Sequence, residues 1–232
     1  MSWRKISHQK DLAGYHFDSI AHTLDSSVKY VIGQMVDGDI AEFGTQTGAT
    51  STILAKAIAE SDSLFPAQNA LYKSQSRSLM LFDSFAGLPE IEDEVDSLSP
   101  NVLGGIWRSG FLKGLSPEEL SESIAKYLDR SRFQVFEGYF RETLQSWGGS
   151  KLSLIHLDCD LYSSTIEVLR FCFENELLSP GSIICFDDWL CNGGSQNFGQ
   201  QAAWKQILSE FQDIAFESLG FYAVTGKRLL LH

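Results

Sequence analysis

Short apolar runs alternate with longer stretches whose apolar side chains recur at helical spacing, and the alternation continues along most of the chain. The runs predict strands at Asp39–Phe43, Ser78–Phe82, Arg132–Phe136, Leu152–Leu157 and Ser182–Phe186. Between them the spacing predicts helices over Ala49–Glu60, Pro117–Leu128, Arg141–Trp147 and Ser163–Leu177, with another at about Gly199–Phe211. Strands separated by helices pair in parallel, because only a crossover returns the chain to the same edge. The last two runs, Asp213–Ser218 and Lys227–Leu231, have a Thr225–Gly226 turn between them and predict a closing antiparallel pair. The expected fold is α/β: a doubly wound, mostly parallel seven-stranded sheet with an antiparallel terminal strand, in one domain with a helical segment at about 1–37.

Two segments break the alternation. Ser61–Arg77 carries Pro66, Gln68 and Asn69 and reads as an elongated polar loop. Pro89–Gly114 opens with Glu90, Glu92, Asp93, Glu94 and Asp96, then passes through Pro100, Gly104–Gly105, Trp107 and Phe111. Loops this long are lids, binding loops or disordered segments. Its acidic half suits a solvated loop, whereas its aromatic half gives the segment something to bury, so 89–114 is expected to be a lid-like insertion.

Composition narrows the partners. Thirty acids against eighteen bases leave a net charge of −12, which argues against nucleic acid and anionic membranes, both of which attract a basic surface. Cys159, Cys172, Cys185 and Cys191 form no Cys-x-x-Cys pair, and a reduced, cytoplasmic setting is the simplest expectation. The first residues lack the apolar core of a signal peptide, and no apolar run approaches the roughly 18 residues needed to span a bilayer.

The first stretch with chemical content is Glu42-Phe-Gly44-Thr45-Gln46-Thr-Gly48, followed by the hydroxyls of Thr50, Ser51 and Thr52. It reads as a strand, a tight turn and a helix start, with Gly44 and Gly48 admitting close approach of a ligand. A dinucleotide fingerprint requires glycine where Gln46 stands, and a phosphate loop requires lysine after Gly48, where Ala49 stands. Glu42 beside the turn repels a pyrophosphate but suits a ligand with ammonium and sulfonium charge, a description that S-adenosylmethionine meets. Asp83 ends the second strand, where an acid is placed to hold ribose hydroxyls, with Ser84 beside it. Gly138 ends the third, where a nucleobase would lie or the chain simply turns.

The densest chemistry is Asp158-Cys-Asp160 after the fourth strand and Asp187-Asp188 after the fifth. Neighbouring parallel strands lie ~4.8 Å apart, so these carboxylates converge at one edge. Each close pair repels by about 4 kcal/mol at an effective dielectric near 20, and a proton or a cation must relieve it. All-oxygen ligands favour Mg²⁺ over zinc or copper. Asp158, Asp187 and Asp188 are the candidate ligands; Asp160 either joins them or caps the next helix.

Together these stretches resemble the macrocin and mycinamicin sugar O-methyltransferase family, which also includes novobiocin-type deoxysugar enzymes. The similarity rests on Glu42-Phe-Gly44 with Gly48, Phe82-Asp-Ser-Phe-Ala-Gly-Leu-Pro89, Gly138-Tyr-Phe-Arg-Glu-Thr-Leu144, Asp158-Cys-Asp-Leu-Tyr-Ser-Ser-Thr165 and Pro180-Gly-Ser-Ile-Ile-Cys-Phe-Asp-Asp188. The resemblance implies a Rossmann-like class I methyltransferase fold, S-adenosylmethionine as donor and Mg²⁺ on the three aspartates. It implies donor contacts at Glu42, Gly44, Thr45, Gly48, Ser51, Asp83, Ser84, Gly138 and Asp158, and by analogy Asp158 as the catalytic base. It further implies a sugar or glycosylated metabolite as acceptor and a homo-oligomer. Ser182 departs from the family's usual glycine, and the N-terminal helices that contact substrate and partner in relatives look short here.

A sugar hydroxyl is a poor nucleophile until deprotonated, so the chemistry asks for a cation and a base near the methyl group. His156 is the alternative base, although its place between Ile155 and Leu157 suits a buried structural histidine. Tyr162, Trp189 and Trp107 are candidates for the acceptor wall. Three rivals remain: a nicotinamide reductase, which needs the absent Gly-x-Gly; a non-catalytic relative, which predicts an eroded aspartate trio; and an O-methyltransferase of phenols.

Overall fold

A computed structural model describes residues 12–71 and 77–232. The chain opens with helix α1 (Leu12–Gly33) and enters the sheet at β1 (Asp39–Phe43). After α2 (Ala49–Leu64) and α3 (Pro66–Leu71) come β2 (Leu79–Asp83), the short helices α4 (Glu94–Ser97) and α5 (Pro100–Leu103), and α6 (Pro117–Ile124). The second half runs β3 (Phe133–Glu137), α7 (Phe140–Trp147), β4 (Leu152–Leu157), α8 (Tyr162–Glu174), β5 (Leu178–Phe186), α9 (Gly199–Glu210), β6 (Phe216–Tyr222) and β7 (Gly226–Leu231). The strand order is β3-β2-β1-β4-β5-β7-β6. The first five strands are mutually parallel, and β7 is antiparallel to both β5 and β6. The chain reverses its direction of travel across the sheet between β1 and β4, which opens a crevice at their C-terminal ends.

Strand alternation sorts side chains into two layers. Ala41 and Phe43 of β1, Ile155 and Leu157 of β4, and Ile184 and Phe186 of β5 share a core with Val168, Leu169 and Trp204 of α8 and α9. Ile40, Leu154, Ile183 and Cys185 pack instead with Leu24, Val28, Leu54 and Ile58 of α1 and α2. By the same parity Glu42 and His156 face the α1/α2 layer, and they are paired in register across β1 and β4. No helix among the described residues is long and apolar enough to cross a membrane, and all four cysteines are free thiols.

Several expectations shift. The polar stretch after Glu60 is helical rather than a loop: Ser61 donates back to the Ala57 carbonyl, α2 continues to Leu64, and Pro66 opens α3. The remainder of that expected loop, 72–76, lies outside the described residues. Strand β6 begins three residues later than expected, and its side chains are mostly exposed. An edge strand has one neighbour, so burial imposes little periodicity on it.

The 89–114 insertion is folded onto the body. Its base is closed by Leu88 N–H to the Phe111 carbonyl and Gly110 N–H to the Leu88 carbonyl, each 2.9 Å. Its end is held by Leu115 N–H donating to the Gln46 carbonyl at 2.8 Å, so it touches the glycine turn. Trp107 is buried with Leu88 and Leu161. In the acidic half Glu90, Glu92 and Glu94 are exposed, as a solvated loop would have them, but Asp96 is 1% exposed and accepts the N–H groups of Tyr162 (2.7 Å) and Ser163 (3.0 Å). Those donors are the orphaned first turn of α8, whose own cap position, Leu161, has no side-chain acceptor. Asp160 is therefore not the cap of α8. Replacing Asp96 by alanine strands two enclosed N–H groups and should destabilise the protein by about 2 kcal/mol in urea unfolding, whereas Asp96→Asn, which keeps an acceptor, should lose much less.

Candidate active site

A cavity of about 570 Å³ opens at the C-terminal ends of β1 to β4. Gly44, Asp83, Ser84, Gly138 and Asp158 line it, joined by Tyr139, Phe140, Arg141, by Gly87 and Leu88, and by the insertion residues Pro89, Glu90, Glu92 and Asp93. Gly44 has φ +92°, and a Cβ there would stand 1.8 Å from the Asp158 carbonyl oxygen. Only glycine lets the turn after β1 pass this close to the turn after β4.

Asp83 organises that turn. Its Oδ2 accepts Thr45 N–H at 2.6 Å, the Thr45 hydroxyl at 3.0 Å and Gln46 N–H at 3.0 Å, while Oδ1 accepts Phe85 N–H at 2.7 Å. Ser84 donates to the Gly87 carbonyl at 2.7 Å and shapes the next turn.

Four of the residues expected to contact the donor do not line the cavity. Glu42 and Ser51 are fully buried beneath the turn, and the Ser51 hydroxyl donates to Glu42. Thr45 is spent on Asp83, and Gly48 starts α2 against the side chains of Leu120 and Leu115. The parity of β1 is the reason for Glu42: with Phe43 on the α8 face, Glu42 points into the α2 layer. The three candidates for the acceptor wall also lie elsewhere. Tyr162 bonds Gln206 in the α8/α9 core, Trp189 packs edge-on to Phe186, and Trp107 fills the base of the insertion.

Beneath the cavity edge runs a charged chain that the sequence analysis did not assemble. His156 Nδ1 lies 2.9 Å from Glu42 Oε1, and its Nε2 faces Asp187 Oδ1 at 3.7 Å, an ion-pair distance beyond hydrogen-bond reach. Burial works against charge on His156, but Asp187 and Glu42 outweigh it and hold the imidazole well above its ordinary value. His156 is thus walled in by two carboxylates, a buried histidine with no opening to the cavity. The signal was available in the shared parity of Glu42 and His156.

Asp158, Asp187 and Asp188 offer carboxylate oxygens that all lie within 4.8 Å of one another. Burial, then the charges of Asp187 and Asp188, push the Asp158 carboxyl well up. Burial, then Asp160 and Asp187, do the same to Asp188. Asp160 is raised to about 8 by burial and by Asp158 and Asp187, with hydrogen bonding from Trp107 opposing. Asp187 Oδ1 and His156 Nε2, which face one another, are both buried with no hydrogen-bond partner. Three converging carboxylates with raised proton affinity fit a hard divalent cation.

The Macrocin-O-methyltransferase (TylF) family matches residues 19–218. The chain belongs to that family. Among characterised proteins it is 26% identical over 188 residues to the 8-demethyl-8-(2,3-dimethoxy-alpha-L-rhamnosyl)-tetracenomycin-C 4'-O-methyltransferase of Streptomyces olivaceus, covering 77% of this chain and 66% of that protein. It is 23% identical over 187 residues to the mycinamicin III 3''-O-methyltransferase of Micromonospora griseorubida, covering 76% of this chain and 68% of the relative. The chain thus spans just under two thirds of the first relative. Solved structures share the fold: the O-methyltransferase NovP superposes with a TM-score of 0.71 at 21% identity over 90% of this chain and 78% of that one. A calicheamicin methyltransferase superposes at 0.66 with 23% identity, over 90% and 77%.

Carboxyls held above their unfolded values bind protons in the folded state, so stability is lost as pH rises, by ~1.4 kcal/mol per pH unit for each such proton. For Asp160 that window runs from the ordinary 3.8 to about 8. In chelator the melting temperature should therefore fall between pH 6 and pH 8, and added Mg²⁺ should raise it more at pH 8 than at pH 6. A melting temperature that climbs over this range in chelator contradicts the assignment.

Proposed function

We propose that the protein is an S-adenosylmethionine-dependent, Mg²⁺-dependent O-methyltransferase acting on a hydroxyl of a sugar or glycosylated natural product. The observation that carries this reading is the convergence of Asp158, Asp187 and Asp188 at the edge of a cavity entered past the Gly44 turn. Family membership and the named activities of the relatives support it.

In this reading the donor lies along the β1 turn. Asp83 keeps the turn in shape through its four accepted hydrogen bonds, and Gly44 and Gly138 leave room for the donor. Glu42 and Ser51 act from beneath by fixing the start of α2. The methyl group passes from the sulfonium to the acceptor oxygen in line: the S–CH₃ bond breaks as the O–CH₃ bond forms, leaving neutral S-adenosylhomocysteine. The hydroxyl proton goes to the Asp158 carboxylate. Asp158, Asp187 and Asp188 would hold Mg²⁺, which when bound acidifies and orients the hydroxyl. His156 keeps Asp187 in place through charge, and Glu42 fixes the imidazole in turn. The insertion, anchored by Asp96 and Trp107, shields the cavity from water.

The test is methyl transfer from labelled donor to a panel of sugar, glycoside and phenol acceptors. Chelation should abolish transfer and Mg²⁺ restore it, while donor affinity measured by calorimetry changes only a few-fold. Asp188→Asn should cost at least about a hundredfold in rate with donor binding retained. Full transfer after exhaustive chelation would overturn the metal assignment, and transfer to phenols alone would overturn the acceptor class.

A further inference from the structure

One buried glutamine bridges the two strands that carry the aspartate trio. Gln200 sits in the first turn of α9 and is 1% exposed. Its Nε2 donates to the Leu157 carbonyl at 2.9 Å, and its Oε1 accepts the Asp188 N–H at 2.9 Å. Leu157 ends β4 and precedes Asp158, and Asp188 follows the end of β5. The Leu157 carbonyl also accepts Asp187 N–H at 3.0 Å, the rung that ends the β4–β5 pairing. Past that rung the strands part, and the Asp187 carbonyl accepts the Thr225 hydroxyl instead, at 2.7 Å. The Gln200 amide occupies the fork. It offers a donor and an acceptor as a peptide group does, so it continues the ladder by one step. A carboxylate in its place would lack the donor and add charge beside three acids. The far end of the bridge is firm, because Ala203, Trp204 and Ile207 fix α9 in the core shared with α8 and β5.

We propose that Gln200 is a positioning residue that sets the spread of the β4 and β5 ends, and thereby the separation of Asp158 from Asp187 and Asp188. The proposal rests on the reading of the trio as a seat for Mg²⁺. That ion tolerates little error in the placing of its oxygens, and groups that hold metal ligands from behind govern affinity by about ten- to a hundredfold. The next residue supplies a comparison. Gln201 Nε2 donates to the Trp189 and Gly194 carbonyls at 2.8 and 3.1 Å, so its bonds fall on the loop after Asp188 and not on the strand ends.

The experiment measures Mn²⁺ binding by calorimetry and electron paramagnetic resonance in the unaltered chain, in Gln200→Met and in Gln201→Met. Methionine keeps the bulk of glutamine and removes its hydrogen bonds. Gln200→Met should weaken Mn²⁺ binding by about tenfold or more and change the line shape of the ion that remains bound. Gln201→Met should stay within about threefold of the unaltered chain. Unchanged affinity and line shape in folded Gln200→Met, or an equal loss in Gln201→Met, overturns the proposal. Should Gln200→Met fail to fold, Gln200→Asn replaces it with the same expectations, since it keeps the amide but is too short to reach both partners. If the unaltered chain binds no Mn²⁺, the metal reading fails, and the positioning claim is read from amide hydrogen exchange. Faster exchange at the Asp187 N–H, whose own rung the substitution leaves in place, sustains the claim, and equal exchange refutes it.

Discussion

Uncompensated negative charge at the edge of the sheet is the constraint on which the site depends. Asp158, Asp187 and Asp188 converge within 4.8 Å, Asp160 stands beside them, and the imidazole of His156 reaches the group only at Asp187. Such a group is tolerable with protons or with a cation, and its carboxyls are accordingly raised. Folding alone gains nothing from this arrangement, because apolar residues at the same strand ends would bury better. Its presence in a well-packed sheet supports the proposed place of the chemistry.

The surroundings follow from that edge. Parallel pairing of β1 with β4 and β4 with β5 brings the strand ends side by side. Gly44 lets the first turn lie on the Asp158 backbone, and Asp83 fastens the same turn from the other flank. The insertion closes the remaining side. It is welded at its base to itself, at its end to Gln46, and in its middle to the first turn of α8 through Asp96. One segment therefore contacts both the turn that would cradle the donor and the helix that follows Asp158, which couples the positions of the two.

The sheet was legible because its strands are buried on both faces, so runs such as Leu152–Leu157 and Ile183–Phe186 stand out as continuous apolar segments. The aspartates were legible for the same reason: a buried run fixes where the strand stops and hence where Asp83, Asp158 and Asp187 sit. The direction of Glu42 was available in the sequence too, through the two-residue parity shared with His156, but a carboxylate beside a glycine turn suggested a ligand more readily than a buried chain. Asp96 could not be found this way. Its partners, Tyr162 and Ser163, are sixty-odd positions along the chain, and no local pattern announces a cap supplied from so far. Strand β6 and the α2–α3 region were misplaced because edge strands and polar helices bury too little to impose a period.

Counting protons and ions together tests the central claim most directly. Calorimetric titration of the protein with Mn²⁺ at pH 7, repeated in buffers of different ionisation enthalpy, reports both the stoichiometry of the ion and the protons it displaces. The account predicts one ion per chain with net proton release, and loss of both in Asp187→Asn. Binding without proton release, or undiminished binding in that variant, would contradict a charge-strained carboxylate trio as the heart of the site.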